Sequence, residues 1–410
     1  MSAGVSGDEL VGRRVVVVNW RDTDHSAAGG AEIYAWQYAV ALRDGGARVT
    51  FLTARERGQA RLLERDGIEV RRGGGLLTFF AYAAAWLLLH RWRVDAVIDM
   101  SCGIPTYAPL FVPRSRPVLL VVHHVHQQQF ATHFRYPLSL VGQWMERVAM
   151  RRVYRNCRVV AVSHSTRVEM REQLDWRTPI GLLENGADIP DASLVDAAAK
   201  EPDRIAVLGR LVTHKRVDLV LQALGEVVDR PDLRGRDLRL DVIGRGPEKE
   251  RLERLAGELG IADRVTFHGY VSDEVKGALL ARASLHVCAS DAEGWGQSVI
   301  EAAGWGVPTI ARNVPGLRDS IRLGETGWLV PDGPLDVVRG RLAEQLAEAL
   351  EATDSLGVRA HRTAACQSWA EKFDWSQMRE NSRGWTTEIL SAAPAASNRP
   401  RATRAATAER

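Results

Sequence analysis

The sequence has few cysteines, no long apolar run and almost no excess of charge of either sign. Its four cysteines are Cys102, Cys157, Cys288 and Cys366. They lie far apart without a C-x-x-C spacing, which argues against a zinc knuckle or a disulfide framework and favours a reducing cytoplasm. The 54 Lys and Arg residues nearly balance the 51 Asp and Glu residues, and no basic block occurs, so nucleic acid is not an expected partner.

Neither the N-terminus nor the interior shows a clear membrane segment. Residues 1–14 lack the apolar core of a signal peptide, so export is not expected. The most apolar segment, 76–89 (LLTFFAYAAAWLLL), is shorter than the ~20 residues that span a bilayer. We predict that it forms a helix of the protein core. The alternative is that this segment, with Arg91 and Arg93, contacts a membrane surface as a peripheral enzyme does.

Short β-branched runs alternate with longer helical stretches along almost the whole chain. Such alternation is typical of parallel sheets with crossover helices. Strands are predicted at 15–19, 48–52, 68–70, 96–99, 118–122, 159–162 and 181–183, and then at 204–208, 238–243, 265–268, 285–288, 309–311 and 327–329. The predicted helices include 32–44, 217–228, 248–259, 342–352 and 375–390.

The 410 residues, 45% of them hydrophobic, suffice for more than one core. The segment 184–204 is polar and contains proline, as linkers do. The sequence therefore predicts an α/β protein with two Rossmann-like doubly wound domains. The predicted boundaries are 1–188, 189–372, a C-terminal helix over 373–390, and a disordered tail over 391–410 that is rich in Ala, Pro, Ser and Arg.

Gly29 and Gly30 open a predicted helix after the first strand and its loop. Glycines let a ligand approach the main chain, and the amides at a helix start favour negative charge. Taken alone the feature is weak, because paired glycines also form ordinary tight turns.

Arg210 and Lys215 follow the predicted strand that ends at Leu208. Side chains at the carboxyl edge of a parallel sheet reach into the ligand crevice. Two cations five residues apart suit a diphosphate, because Arg binds in a bidentate manner and Lys acts as a point charge. The alternative is that both are surface charges of the next helix.

The stretch EGWGQSVIE places Glu293 on a glycine-rich loop and Glu301 eight positions later. Because glycine disfavours helix, we predict that the helix begins near Gln297 and stops at Gly304. The amides of residues 296–298 would then point at an anion, with Glu301 about one turn further in. A carboxylate there can accept hydrogen bonds from two sugar hydroxyls, so the pattern predicts a nucleoside diphosphate with a further group attached.

The stretch from Glu293 to Glu301 resembles the E-x7-E motif of retaining glycosyltransferases of family 4, which have the GT-B fold, two Rossmann-like domains facing across a cleft. GRLVTHKR similarly resembles the family's G-R-L-x-x-x-K segment. Further matches in order and spacing are GGAE near the start, SHSTR at 163–167, LLENGAD at 182–188 and VPGLRDSIRLGETGWLVPDG at 314–333. The resemblance covers residues 13–390.

The resemblance implies a role for each matched residue. Arg210 and Lys215 would bind the donor pyrophosphate and stabilise the charge that grows on it, while Glu293 would contact the transferred sugar. The implied donor-binding residues are Gly29, Gly30, Gly209, Gly296, Gln297, Ser298 and Glu301, with Glu301 on the ribose hydroxyls. The domain over 1–188 would bind the acceptor and that over 189–372 the donor, and the helix over 373–390 would cross back to the first domain.

A histidine is also expected in the family after the fourth main strand of the first domain. His123 occupies that position, whereas His124 stands where an aspartate is common. We predict His123 as a catalytic residue, and His124, His126 and Asp24 as acceptor contacts. The alternatives are that a histidine only bonds its loop, or that His123 and His126 hold a metal ion, for which no nearby carboxylate or cysteine completes a ligand set.

Two other motifs resemble sites of different chemistry. Gly244 and Gly246 form a G-x-G, but Pro247 interrupts the full G-x-G-x-x-G, so an NAD site is not expected. Asp22 and Asp24 form the D-x-D that metal-dependent transferases of the other major fold use for manganese. We interpret it here as a loop with at most an acceptor contact.

The sequence thus predicts a retaining hexosyltransferase that moves a sugar from a nucleoside-diphosphate sugar to a hydroxyl of a small polar, glycan or natural-product acceptor. The cations and the helix dipole would stabilise the leaving phosphate, which itself helps to take the acceptor's proton on the same face. No metal or other cofactor is expected, and the protein would be a monomer or homodimer. The alternatives are a nucleotide-sugar epimerase on the same fold and a catalytically silent partner that binds a sugar nucleotide.

Overall fold

The computed structural model describes residues 9–75, 78–101, 103–127, 130 and 136–392. The first two residues of the apolar segment 76–89, Cys102 and residues 393–410 of the predicted tail lie outside the described residues. Within them the chain forms two separate sheets, of eight and six strands.

The first sheet has the strand order β3-β4-β2-β1-β5-β6-β7-β8. Its strands are β1 (Arg14–Val18), β2 (Arg48–Thr53), β3 (Leu62–Arg65), β4 (Ile68–Arg72), β5 (Ala96–Ser101), β6 (Val118–Val122), β7 (Arg158–Ala161) and β8 (Gly181–Leu182). All pairs are parallel except β3 with β4. The central strands are buried on both faces, which explains why they read as continuous Val, Leu and Ile runs.

The second sheet is wholly parallel, with the order β11-β10-β9-β12-β13-β14. Its strands are β9 (Glu201–Leu208), β10 (Arg239–Ile243), β11 (Val265–Gly269), β12 (Ala283–Cys288), β13 (Thr309–Arg312) and β14 (Gly327–Val330). This is the order of the doubly wound nucleotide-binding fold, in which ligands bind at the carboxyl ends of the strands. The predicted fold class is confirmed.

The strand β3 was not predicted from the sequence. It forms a hairpin with β4 through Asp66 and Gly67, whose φ angles of 52° and 72° are both positive. Two positive φ angles define the tight hairpin turn for which Asp-Gly is the strongest short-range signal. The Asp66-Gly67 dipeptide in the sequence therefore indicated this hairpin, and with it the strand β3.

The helices fill the connections between the strands. They are α1 (Gly30–Asp44), α2 (Phe79–His90), α3 (Leu138–Trp144), α4 (Met150–Val153), α5 (His164–Leu174), α6 (Val217–Val228), α7 (Lys249–Glu258), α8 (Asp273–Arg282), α9 (Gln297–Gly304), α10 (Leu317–Ser320), α11 (Leu335–Ala352), α12 (Leu356–Ala370) and α13 (Trp375–Ala392). A π-helical segment, Met145–Ala149, joins α3 to α4. The helix α11 begins well before the predicted residue 342, and α13 includes Ser391 and Ala392, which were assigned to the tail.

The helix α2 differs from the predicted core helix. It buries only the stripe of Phe79, Ala83 and Leu87 against the first sheet. Leu88 and Leu89 are exposed, the latter to 78%, so the helix lies on the surface with an apolar outer face. No helix in the described part of the chain is long and apolar enough to cross a bilayer.

Two chain segments run side by side between the sheets. The Ala187 amide donates to the Phe373 carbonyl at 2.7 Å, and a Cβ added to Gly186 would lie 2.3 Å from the Trp375 ring. The helix α13 then packs on the first domain, where the Tyr38 hydroxyl lies 2.9 Å from Thr386 Oγ1. The last helix is therefore part of the first domain's core, beside α1.

Candidate active site

The two domains meet where α1 begins. Arg210 Nη1 donates to the Ala27 carbonyl at 3.2 Å. A Cβ added to Gly29 would lie 3.5 Å from Arg210 Nε, and one added to Gly30 would lie only 2.4 Å from Gln297 Oε1. The first domain's glycines thus face two predicted donor-binding residues of the second domain, and a side chain at position 30 would displace the Gln297 side chain.

Glu32 holds the start of α1 and was missed in the sequence analysis. Its Oε2 accepts a hydrogen bond of 2.7 Å from the Gly29 amide, and its Oε1 accepts one of 3.0 Å from Arg21 Nε. The carboxylate is 3% exposed. Glutamate at this position of a helix is a recognised capping signal, so GGAE could have identified it.

Lys215 forms an ion pair with Glu293. Burial opposes the charge of Lys215, but the neighbouring Glu293 outweighs it and raises the pKa of the lysine above 10.5. Burial and the Lys215 charge lower the pKa of the adjacent His214. Lys215 is therefore a fixed cation at neutral pH, held beside the residue predicted to contact the transferred sugar.

Glu301 forms an ion pair with Lys276 of α8, whose Nζ lies 3.1 Å from Oε2. Burial raises the pKa of Glu301, and Lys276 partly offsets the rise. Burial opposes the charge of Lys276 too, but Glu301 and Asp273 outweigh it and raise the lysine pKa. Lys276 was missed because nothing local in the sequence links α8 to α9.

The helix α9 runs over the predicted residues, from Gln297 to Gly304. Its N-cap is Gly296, and no side chain of the described residues caps it. Gln297 Oε1 is buried without a hydrogen-bond partner in the described part of the chain. The amides of Gln297 and Ser298 and this side chain are thus available to a ligand at the positive end of the helix dipole.

Gly316 makes room for the loop that carries Glu293. A Cβ added to Gly316 would lie 2.3 Å from the Glu293 carbonyl oxygen, and its φ is +81°. On the other side, a Cβ added to Gly294 would lie 2.1 Å from the His123 carbonyl oxygen of the first domain. Backbone from two other segments, at Gly316 and His123, therefore packs against the loop that carries Glu293.

We expect Gly316→Ala to lower turnover at least about tenfold, because the clash displaces the Glu293 loop and small misplacements in a site cost rate. Gly324→Ala is a matched control, since Gly324 has the same φ of +81° but nothing within 4 Å of the added Cβ. It should show only the strain, roughly 1–3 kcal/mol of unfolding free energy. Turnover and urea unfolding of both variants test this, and equal turnover would contradict the expectation.

The three predicted histidines lie between β6 and α3. His123 is buried and packs edge-on against Tyr34, with ring centroids 4.7 Å apart. His126 Nδ1 lies 3.0 Å from the His124 carbonyl oxygen, and the His126 amide donates to Glu146 at 2.7 Å. No three His, Cys, Asp or Glu residues within the described ranges are grouped to hold a metal ion.

Burial lowers the pKa of both His123 and His124 to about 3. Each imidazole is therefore neutral at physiological pH, so His123 can donate or accept a hydrogen bond but does not titrate there. We expect the His123→Gln variant to keep the shape of the wild-type pH–rate profile between about pH 5 and 8. Loss of an inflection near the ordinary histidine pKa would contradict this.

The D-x-D residues are bound to arginine. Arg72 donates to Asp22 at 2.5 Å and to Asp24 at 2.6 Å, and Arg65 donates to Asp24 at 3.1 Å. Arg72 and Asp22 are both buried. Asp24 retains 45% side-chain exposure, so an acceptor could still reach it.

The G-x-G of the second domain has a packing role. A Cβ added to Gly244 would lie 1.8 Å from the Gly209 carbonyl oxygen, and one added to Gly246 would lie 2.1 Å from that of Leu211. The loops after β9 and β10 can touch only because these residues lack side chains. Gly209, whose carbonyl faces Gly244, immediately precedes Arg210 in the sequence and has a positive φ of +149°.

The matched segments SHSTR and VPGLRD also meet between the domains. Ser163 caps α5 by accepting from the Thr166 amide at 3.0 Å. The Ser165 amide at the same helix start donates to Asp319 of α10 at 2.6 Å. These segments thus join the two domains beside the cleft.

Two family models match the chain consecutively. The model described as "Glycosyltransferase Family 4" matches residues 28–190, and that described as "Glycosyl transferases group 1" matches residues 192–360. The chain is a family 4 glycosyltransferase. The two matches confirm the family that the E-x7-E and G-R-L-x-x-x-K segments of the sequence suggested.

Curated relatives resemble parts of the glycosyltransferase. An alpha-D-kanosaminyltransferase of Streptomyces kanamyceticus is 28% identical over 60% of this chain and 68% of its own length. A D-inositol 3-phosphate glycosyltransferase of Streptomyces scabiei is 34% identical over 45% of this chain and 40% of its own length. A GDP-mannose-dependent alpha-(1-6)-phosphatidylinositol monomannoside mannosyltransferase of Mycolicibacterium smegmatis is 31% identical over 54% of this chain and 61% of its own length. The last two alignments cover less than two thirds of the relatives.

Solved structures share the fold of the glycosyltransferase over nearly its whole length. Sucrose-phosphate synthase from Thermosynechococcus elongatus has a TM-score of 0.74 at 18% identity, covering 93% of this chain and all of its own. HepE from Anabaena in complex with UDP and glucose has a TM-score of 0.65 at 18% identity, with 92% and 100% coverage. The architecture of the glycosyltransferase is GT-B.

Proposed function

We propose that this glycosyltransferase is a retaining, metal-independent hexosyltransferase that uses a nucleoside-diphosphate sugar as donor. The observation that carries the proposal is the meeting of Arg210, Gln297 and the Gly29–Gly30 turn at one place, with the Lys215–Glu293 pair beside it. The charge of Arg210 acts to lower the pKa of Lys215, as a nearby like charge does. Two cations and a helix start in one cleft suit a diphosphate.

In the proposed reaction the donor exchanges partners with the Lys215–Glu293 pair. Lys215 would form an ion pair with the leaving phosphate, and Glu293 would accept a hydrogen bond from a hydroxyl of the transferred sugar. Positive charge near the leaving oxygen stabilises the transition state more than the ground state, because negative charge grows there as the glycosidic bond breaks. The departing phosphate would then accept the proton of the incoming acceptor hydroxyl on the same face.

The ion pairs support transfer without a metal ion. The D-x-D carboxylates are bound by Arg72, which competes with a cation for them. Arg210 and Lys215 would supply the positive charge that a metal provides in other transferases. We propose that no other cofactor takes part.

The acceptor is proposed to be a small polar, glycan or natural-product hydroxyl compound bound by the first domain. By their names, one relative glycosylates D-inositol 3-phosphate, and another uses GDP-mannose to mannosylate a phosphatidylinositol monomannoside. A third, by its name, transfers an alpha-D-kanosaminyl group. HepE, a structural neighbour, was solved with UDP-glucose. These names support a nucleotide-sugar donor and a hydroxyl acceptor for this chain.

A nucleotide-release assay with a panel of donors tests the proposal. Purified protein is incubated with UDP-, GDP-, ADP- and dTDP-sugars, and released nucleoside diphosphate is measured with and without a chelator. Release that survives chelation, with an α-linked product from an α-linked donor, is the expected result. Epimerised donor without release would favour the epimerase alternative, and binding without either reaction would favour a silent partner.

We further propose a cytoplasmic location with peripheral contact at the inner membrane face. The exposed outer face of α2 and the turn after it supports the contact, since Leu89 and Trp92 are 78% and 64% exposed next to Arg91 and Arg93. Apolar and basic side chains together favour an anionic interface. Cys157, Cys288 and Cys366 are unpaired, which suits a reducing compartment.

Replacing both Leu89 and Trp92 by Glu should lower binding to phosphatidylglycerol-containing vesicles several-fold, because it removes apolar area and adds like charge. Leu323→Glu is the matched control, since Leu323 is 68% exposed on the second domain. Vesicle sedimentation measures the bound fraction. Equal binding of wild type and the double variant would overturn the membrane proposal without touching the transfer proposal.

A further inference from the structure

A cavity of about 650 Å³ in the first domain has arginine at half of its lining positions. Its five arginines are Arg55, Arg57, Arg61, Arg71 and Arg72, and Glu56 and Tyr82 also line it. The volume falls within the range of roughly 300–1,000 Å³ that small-molecule sites occupy. Five guanidinium groups around one hollow, with one carboxylate, make an anion the natural occupant.

Two of the five arginines are neutralised by the protein itself. Arg71 forms two bonds with Glu69, of 2.8 and 3.0 Å, and Arg72 binds the D-x-D carboxylates. The carboxylate of Glu56 is occupied by the amide and hydroxyl of Ser26, at 3.0 and 2.5 Å.

Among the described residues, no carboxylate forms an ion pair with the other three arginines of the cavity. Arg55 Nε donates to the Gln59 carbonyl at 2.8 Å, which is a neutral acceptor. The ion pairs of this region within the described residues are made by Arg65, Arg71 and Arg72, and none of them involves Arg57 or Arg61. Their side chains are free to turn towards a ligand, and the net charge of the cavity is positive.

One loop, residues 22–27, connects the cavity to the place where the two domains meet. It lies at the carboxyl ends of β2 and β4, the edge at which parallel sheets bind ligands. Gln59 Nε2 donates to the Asp24 carbonyl at 3.1 Å, which ties the arginine-bearing loop to the loop over 22–27. That second loop ends at Ala27, whose carbonyl accepts from Arg210.

We propose that the acceptor is a phosphate-bearing polyol whose phosphate is bound in this cavity by Arg55, Arg57 and Arg61. The inference rests on the proposed transfer function and adds the chemical class of the acceptor. The polyol would extend along the 22–27 loop so that its acceptor hydroxyl points towards the donor. The bound phosphate would fix the position of that hydroxyl. A bidentate guanidinium–phosphate contact gives both orientation and affinity. The tyrosine ring of Tyr82, packed over Gly73, forms an apolar wall for the polyol carbons.

Calorimetric titration of the full chain separates the two sources of such a phosphate. Glycerol 3-phosphate represents the free monoester, and vesicles with phosphatidylinositol represent a lipid headgroup. The double variant Arg57→Ala/Arg61→Ala is compared with wild type and with Arg254→Ala, an exposed arginine on α7 of the other domain. Neither Arg57 nor Arg61 belongs to the donor site, so each variant also receives a nucleoside-diphosphate titration.

Wild type should bind at least one source, and the double variant should bind it about tenfold or more weakly, since charge-assisted bonds to phosphate are lost. Arg254→Ala should match wild type, and the nucleoside-diphosphate affinity should be the same in all three proteins. The inference is overturned if wild type binds neither source, or if the double variant binds as tightly. Failure of nucleoside-diphosphate binding in wild type would instead reject the proposed function.

Discussion

Lys215→Ala is expected to lower kcat roughly 100- to 1000-fold, which is the cost of removing one group that stabilises developing negative charge. The nucleoside-diphosphate affinity should fall less than about tenfold, because the ground-state phosphate keeps Arg210 and the α9 amides. The neighbouring Glu293 raises the pKa of Lys215, so the lysine carries its charge throughout the neutral range. The deficit should therefore be independent of pH there.

The control for this prediction is Lys249→Ala. Lys249 is a half-exposed lysine on α7, and it forms an ion pair with Glu253 at 3.4 Å. The Lys249→Ala variant removes one positive charge from the same domain, as Lys215→Ala does. Its kcat should stay within about twofold of wild type, because exposed ion pairs contribute little to the structure. If Lys215→Ala retained wild-type kcat, the leaving-group role of Lys215 would be wrong.

Glu301→Ala is expected to weaken nucleoside-diphosphate binding roughly 10- to 100-fold, because hydrogen bonds to a charged group are among the stronger ones. Two effects combine in this variant. The ribose hydroxyls lose their carboxylate acceptor, and Lys276 loses its 3.1 Å partner at the same place. The loss should appear mainly in the dissociation constant, with a smaller change in kcat.

Glu301→Gln and Glu253→Ala complete the comparison. The glutamine keeps an oxygen acceptor without charge, so it should recover part of the affinity. Glu253→Ala removes an exposed carboxylate of α7 and should leave binding unchanged. Equal affinity of Glu301→Ala and wild type would refute the ribose role.

The sequence predicted the parallel sheets well for a physical reason. Strands buried on both faces must be continuously apolar, and β1 and β6 are such runs. The edge strand β3 has alternating exposure and charged residues, so its signal was only the Asp-Gly turn. The exposure of α2 could not be predicted, because it depends on how much of the sheet face is left for a helix to cover.

The candidate site was predictable where its signals are local. The start of α9 at Gln297 follows from the glycines before it, and Glu32 could have been found from its capping position. Long-range pairings carried no such signal. Arg72 reaches Asp22 and Asp24 only because β4 lies near β1 in the sheet, and Lys276 reaches Glu301 only through the packing of α8 on α9.

The central claim is that Arg210 and Lys215 hold the diphosphate in the cleft between the domains. Calorimetric titration of wild type and Arg210→Ala/Lys215→Ala with the preferred nucleoside diphosphate and with its bare nucleoside measures this directly. We predict that wild type binds the diphosphate at least about 100-fold more tightly than the nucleoside and that most of this gain is lost in the double variant. A double variant that keeps the full preference for the diphosphate would contradict the account.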